Sequence, residues 1–254
     1  MLRPIVNLDS VDSTNSEAQR RAAGGDVGPI WIRADQQTGG RGRSGRTWLS
    51  PPGNLYATLL FRPDCAADRL HHLSLVAGLA VHDAARTALL AAGKDHAVRL
   101  KWPNDVMVDT GKLAGILVES SIFNGVTVAA VGIGMNVAAA PQVSGREVTS
   151  LHERGATISA HDVLELLDET VFRHLATWQN GAGFARIREL WLERTYPPGQ
   201  SMAINTQDGR VQGTFHSIDE EGALLLCESS GTVRRFHFGD VVVGGDATAQ
   251  NNAE

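Results

Sequence analysis

Cysteine is scarce in these 254 residues: there are two, Cys65 and Cys227, far apart in the chain. Neither has a second Cys or a His at metal-ligand spacing, which excludes a structural zinc site and a disulfide framework and fits a reducing, cytoplasmic setting. Aromatic residues make up only 6%. An excess of positive charge is missing too, since the formal net charge is −5. A general nucleic-acid binder would carry the opposite balance, so only a local basic patch could argue for one. The N-terminus, MLRPIVNLDS, has no continuous apolar run and therefore reads as no signal peptide. Residues 120–145 lack Asp, Glu, Lys and Arg, but the apolar heart, Val126–Ala140, is only 15 residues long and contains Asn136. A membrane helix needs about 20, so this stretch reads as buried strand, and no membrane partner is expected.

What is present is an ordinary globular balance, 43% hydrophobic and 20% charged residues, enough for one large domain or a medium one with a small companion. Thr14-Asn-Ser-Glu17 reads as a capping box opening a helix that stops at Gly24-Gly25. Strands are predicted at Ile30–Ala34 and Leu55–Phe61, followed by a long Ala/Leu helix over Leu70–Ala92 with Gly93 as its cap. Val98, Leu100 and Trp102 alternate with Arg99 and Lys101, and Pro103 ends that strand. Strands at Val106–Val108, Leu113–Glu119 and Val126–Val137 follow, the last two joined by an Asn124-Gly125 hairpin turn. The centre is thus an antiparallel meander with helices packed on it. Two further helices are predicted after Ser159 and over Phe184–Arg194. From Ser201 short strands alternate with Asp208-Gly209, Glu221-Gly222 and Ser230-Gly231 turns, reading as a small β-barrel that packs on the first domain. The expected division is 1–196, 197–245 and a disordered polar tail over 246–254.

The chemistry concentrates in four segments. Gly39-Gly-Arg-Gly-Arg-Ser-Gly-Arg46 formally contains G-x-G-x-x-G, but no helix follows its last glycine, so the dinucleotide fingerprint fails. There remains a loop whose glycines let the backbone close on a ligand and whose arginines can grip anions, with Trp48 at its end favouring a nucleotide site over a plain solvated loop. Lys101, in Arg99-Leu-Lys-Trp-Pro-Asn-Asp105, is held rigidly before Pro103 as polarising an acid or phosphate requires, though an exposed strand lysine is the common alternative. Asn104 and Asp105 read equally as turn residues. In Gly111-Lys-Leu-Ala-Gly-Ile-Leu-Val-Glu119 and Val131-Gly-Ile-Gly-Met-Asn-Val137, glycines within strands signal close backbone approach. Asn136, among apolar neighbours, is either a member of a buried network or a reader of base or phosphate. No Ser-His-Asp or His-metal arrangement is legible.

Together with Ser13-Thr-Asn15 and Gln37-Thr38, these segments occur in the order found in the biotin–protein ligases, and the chain resembles that family over roughly residues 10–140. The C-terminal strands, down to Gly239-Asp240-Val241, resemble its SH3-like domain. The resemblance implies an α+β fold: a mixed sheet flanked by helices, like that of class II aminoacyl-tRNA synthetases, then a small SH3-like β-barrel. It implies an enzyme that makes biotinyl-AMP from biotin and ATP with Mg²⁺ and passes biotin to a lysine of a biotin carboxyl carrier domain in a biotin-dependent carboxylase. Carried over by position, Ser13, Thr14, Asn15, Gln37, Gly40, Arg41, Gly42, Arg43, Lys101 and Gly115 would bind biotin. Arg43, Arg46, Trp48, Asn104, Lys112 and Asn136 would serve ATP, and Lys101 and Arg43 would be catalytic, with no resident metal ligands. Because the Ser13 motif comes so early, no DNA-binding domain and no DNA partner are expected, and a homodimer is left open. A lipoate or octanoate ligase and a non-catalytic biotin sensor are the rivals.

Overall fold

The period-two alternation of apolar residues sets the strands, and the turns between them set their order. The structure, a computed structural model, describes residues 2–207 and 209–244; the tail expected over 246–254 lies outside them. Seven strands, β1 (Ile5–Val11), β2 (Ile30–Gln37), β3 (Leu55–Phe61), β4 (Val98–Lys101), β5 (Asp105–Val108), β6 (Gly111–Phe123) and β7 (Val126–Met135), form one sheet. Its order is β1-β2-β3-β7-β6-β5-β4. The meander β3 to β7 with β4, β5 and β6 is antiparallel as expected, and the β6–β7 turn puts Asn124 and Gly125 at φ 49° and 77°, the geometry that favours Asn-Gly in a two-residue hairpin. The strand β1 has no counterpart in the sequence reading. It pairs with β2 in parallel, because helix α1 (Thr14–Ala23) carries the chain back between them, and this one pairing makes the sheet mixed.

Central β3 is buried at all seven positions. Leu55, Ala57, Leu59 and Phe61 face the main core, together with α2 (His72–Ala91), α3 (Ala160–Trp178) and α4 (Phe184–Leu192). Leu60 faces the other side, where Ala18 and Ala22 of α1 cover Ile32, Val128 and Ala130. Residues Ala67–Ala91 are long and apolar enough for a membrane span, yet 72% of the apolar 18-residue window within them is buried inside the molecule. Core packing accounts for its composition. Helix α3 begins where expected, with Ser159 Oγ accepting from the Asp162 backbone N–H at 3.1 Å.

Five C-terminal strands, β8 (Ser201–Thr206), β9 (Gly209–Ile218), β10 (Leu224–Cys227), β11 (Val233–Phe236) and β12 (Asp240–Val243), form an antiparallel sheet ordered β11-β10-β9-β8-β12. Its Met202, Ile204, Phe215 and Leu224 belong to the same continuous apolar core as the large sheet. Trp102 Nε1, just past β4, donates to Gly222 O at 3.0 Å and Arg188 Nε of α4 to Ile218 O at 2.7 Å, fastening the C-terminal sheet to the end of β4 and to α4.

Candidate active site

Where β6 and β7 meet the Gly-Arg loop and the C-terminal sheet, the chain encloses a cavity of about 540 Å³. Every expected site residue lines it except Gly40. Gly40 instead shapes the loop base, where a Cβ would stand 2.5 Å from Trp48 O and 3.0 Å from Gln37 Nε2. Seven cationic and three acidic side chains line the cavity. Against a whole-chain charge of −5, that local excess suits a polyanion.

One end is polar and uncharged. The capping box predicted at Thr14–Glu17 does not form: Ser13 is the N-cap and its side chain makes no capping bond. Glu17 turns to Arg20 and Arg21, and the exposed N–H of Thr14 is met by Gln37 Oε1 from β2 at 2.9 Å. Thr14 Oγ1 donates to the same oxygen at 3.2 Å, and Gln37 Nε2 donates to Ser50 Oγ at 3.2 Å. The local helix signal is overridden because Gln37 takes both the Thr14 N–H and its hydroxyl while Glu17 is held by Arg20 and Arg21. Behind them, fully buried Thr58 lies 2.8 Å from Thr14 Oγ1 and donates to Asn15 Oδ1 at 2.6 Å. What remains open to a ligand here is the Ser13 hydroxyl, a Thr14 lone pair and the second N–H of Gln37, a set that matches a compact ring with both donors and acceptors.

The middle of the pocket is walled by Trp48. Gly115 and Gly134 are register partners on β6 and β7. A Cβ at Gly134 would lie 2.5 Å from Trp48 Cε2, and one at Gly115 would lie 3.0 Å from Cζ3. The in-strand glycines thus make a flat bed for the indole, which is the close approach their sequence implied. The Trp48 Nε1–H is buried with no protein partner, as is Asn136 Oδ1. Asn136 does belong to a network, since its Nδ2 donates to Thr149 O at 3.1 Å and Lys112 O at 3.4 Å. Its unpaired oxygen belongs to a residue that lines the cavity.

The charged end is built around Asp105, which the sequence reading treated as a turn residue. It faces Lys101 across the tight β4–β5 hairpin, and its carboxylate meets Lys101 Nζ at 3.3 Å and Lys112 Nζ at 2.5 Å. Burial opposes ionisation of Asp105, but the two ammonium groups outweigh it and hold the carboxyl below its usual range. Burial pushes Lys112 down, with Asp105 pulling the other way. Lys112 also sits 5.4 Å from the Trp48 ring centroid. One carboxylate therefore locks two lysines side by side, a pair that would otherwise repel.

Three arginines strap the Gly-Arg loop across the opening, each to a different wall. Arg41 reaches Glu119 on β6 at 3.3 Å, Arg43 donates to Asn104 Oδ1 at 3.4 Å, and Arg46 pairs with Asp240 of the C-terminal sheet. Asn104 is itself fixed by donating to Ile116 O at 2.7 Å. Burial lowers the Arg43 pKa, with Asp240 and Asp105 opposing, which marks a desolvated cation short of a close counter-ion. Asp240, Asn205 and Arg210 are cross-strand neighbours in one row and form the far wall. Thr58, Asp105, Glu119, Asn205 and Arg210 are the site residues that sequence reasoning missed or left without a role. Asp105 and Glu119 lay inside recognised motifs, so their position was a usable signal; the others carry none. Among the described residues no group of three His, Cys, Asp or Glu side chains is gathered for a metal.

Comparison with known proteins gives concordant matches. A model of the biotin/lipoate A/B protein ligase family matches residues 10–137, and one of the biotin protein ligase C terminal domain matches residues 199–244. A biotin–[acetyl-CoA-carboxylase] ligase from Paracoccus denitrificans is 41% identical over 86% of this chain and 92% of its own length. A bifunctional ligase/repressor from Bacillus subtilis is 32% identical over 94% of this chain and 74% of its own. The solved structure of an Aquifex aeolicus biotin protein ligase in complex with biotin and ATP superposes with a TM-score of 0.77 at 27% identity, covering 94% of this chain and 98% of that one.

Proposed function

The chain belongs to the biotin/lipoate A/B protein ligase family, and from that membership we propose how its pocket carries out biotin–protein ligation. Its activity is that of an ATP-dependent biotin–protein ligase. The biotin carboxylate attacks the α-phosphorus of ATP, the bond from that phosphorus to the bridging oxygen breaks, and pyrophosphate leaves. The neutral amine of an acceptor lysine then attacks the acyl carbon, and AMP leaves as the amide forms.

The fused rings of biotin lie against Ser13, Thr14 and Gln37, whose free donors and acceptors suit a ureido group. The carboxylate then points to Lys101 and Lys112. Two anions must meet there, and a pair of preorganised ammonium groups in a low-dielectric pocket lowers that repulsion where it is greatest. Arg43 takes the phosphate, and the buried Asn136 Oδ1 accepts from the exocyclic amine of adenine. Trp48 on its glycine bed separates the two ligands' compartments. Mg²⁺ carried in on the triphosphate would neutralise phosphate charge there. The strapped loop excludes water from the mixed anhydride. Residues 1–196 provide the catalytic unit, and the row Asp240, Asn205 and Arg210 is what residues 197–245 add to it. The acceptor is a biotin carboxyl carrier domain met in the cytoplasm.

The observation that carries this assignment is the Lys101–Asp105–Lys112 triad beside a neutral donor–acceptor wall in one cavity. Incubation with ATP, Mg²⁺, biotin and a carrier domain tests it by intact-mass measurement. One biotinyl adduct on one acceptor lysine is expected. A lipoyl or octanoyl adduct formed in preference would assign the pocket to the neighbouring branch of the family.

A further inference from the structure

Glu119 stands where two parts of the pocket meet. Its Oε2 accepts from Asn15 Nδ2 at 2.8 Å, and Arg41 Nη2 lies 3.3 Å from both its oxygens. Asn15 is only 3% exposed. Its second N–H goes to Leu117 O at 3.2 Å and its Oδ1 accepts from Thr58. Both amide hydrogens are therefore spent, and the orientation of the amide is dictated by a carboxylate on one side and a hydroxyl on the other. Gly132 leaves the room this requires, since a Cβ there would stand 2.2 Å from Asn15 Oδ1. Asn15 is thus a fixed part of the wall whose neighbours Ser13 and Thr14 keep free polar groups.

The second link runs to the loop. Arg43 and Arg46 are tied to Asn104 and Asp240. At its start the loop is held to this wall by the Gly39 backbone N–H donating to Asp12 O at 2.8 Å, and Arg41 is the loop arginine whose side chain reaches the network of Asn15. With side chains 47% and 33% exposed, Arg41 and Glu119 would contribute little as an isolated surface pair. Sharing the carboxylate with buried Asn15 makes the contact consequential: any shift of Arg41 alters the acceptor that orients Asn15, and any pressure on Asn15 is felt by Arg41.

We propose that Glu119 is a positioning residue that couples occupancy of the biotin-ring end of the pocket to closure of the Gly-Arg loop. This rests on the assignment of biotin to that end. Glu119→Gln keeps an acceptor for Asn15 and removes the charge that holds Arg41, Glu119→Asp is its conservative counterpart, and Arg41→Gln cuts the link from the other side. Two readouts on the full chain separate coupling from general damage: KM for biotin against KM for ATP in pyrophosphate release, and trypsin cleavage after Arg43 with and without biotin. Glu119→Gln is expected to raise the biotin KM about fivefold to tenfold, the scale of one ordinary hydrogen bond, with the ATP KM nearly unchanged. Biotin is expected to protect the loop in the wild type, partly in Glu119→Asp, and not in Glu119→Gln. The Glu119→Gln/Arg41→Gln double variant is expected to be no worse than the poorer single one. Multiplying effects, an equal rise in both KM values, or retained protection would overturn the proposal alone. A wild type showing neither release nor protection with biotin would overturn the functional reading and this proposal with it.

Discussion

At the scale of single residues, the site is a set of buried polar atoms whose partners are nearly all accounted for, and the exceptions point at the ligands. Asp105 is the most informative. Its carboxyl, held below its unfolded value of about 3.9, contributes stability that is fully present above that value and is lost as pH falls through the folded one. Asp105→Asn is therefore expected to flatten the acid limb of stability below about pH 4. The same change removes the group that pulls Lys112 up against burial, so Lys112 sheds its proton at lower pH. The alkaline limb of the pyrophosphate-release profile should move downward; a pH–kcat titration checks this, and an unmoved limb would remove Lys112 from the adenylation step. Lys112→Gln is expected to cost about a hundredfold to a thousandfold in kcat, as for other preorganised donors. The loop arginines, Lys112 and Trp48 were legible because cationic and aromatic residues in or beside a glycine-rich setting have few structural reasons to be there, whereas Lys101 stood out only through its place before Pro103. Asp105 was not, because Pro-Asn-Asp is also the composition of a turn. Thr58 was not, because one threonine in Leu55–Phe61 differs in no local way from any strand residue.

At the scale of elements, strands and turns give the pocket its shape. Gly115 and Gly134 are opposite one another, so Gly134→Ala is expected to lift Trp48 off its bed and raise the ATP KM while the fold survives. Tryptophan fluorescence with and without nucleotide reports the displacement. On the far side of the sheet, α2, α3 and α4 meet at His72, which stacks on Phe184 at 3.6 Å between ring centroids and accepts from Trp178 Nε1 at 3.2 Å. Burial pushes its pKa down to about 4. A base lowered in the folded state is protonated more readily in the unfolded chain between about 6.5 and that value. Stability should therefore fall on acidification through this window by up to about 1.4 kcal/mol per pH unit. Urea titrations of wild type and His72→Gln should diverge there, and parallel curves would refute the assignment. The β6–β7 hairpin was readable because Asn124-Gly125 favours positive φ locally. Strand β1 was not: Ile5–Val11 is a mixed, half-exposed run whose parallel pairing is decided by Trp31 and Ile32 across the crossover. The capping box failed because a tertiary partner, Gln37, took over the helix terminus.

At the scale of the whole molecule, two sheets share one core and one pocket, and the Gly-Arg loop is fastened to both. Removing residues 197–244 would uncover Trp102 and the apolar residues it packs with, so a truncation confounds folding with catalysis. Asp240→Asn is the cleaner probe. It frees Arg46 from the C-terminal sheet, and biotinyl-AMP is expected to escape and label bystander lysines, with activation of biotin retained; a mass-spectrometric survey showing unchanged acceptor selectivity would deny the C-terminal sheet a part in holding the loop. The large-scale organisation was legible from the ordered motifs, whereas the row Asp240, Asn205 and Arg210 depends on a register between strands that only the folded sheet provides. The central claim is that this cavity activates biotin with ATP. Pyrophosphate release from ATP and Mg²⁺, offered biotin, lipoate and octanoate in separate reactions, tests it most directly. Release with biotin alone is expected. Release with lipoate or octanoate instead, or silence with all three from a folded chain that still binds biotin, would contradict it.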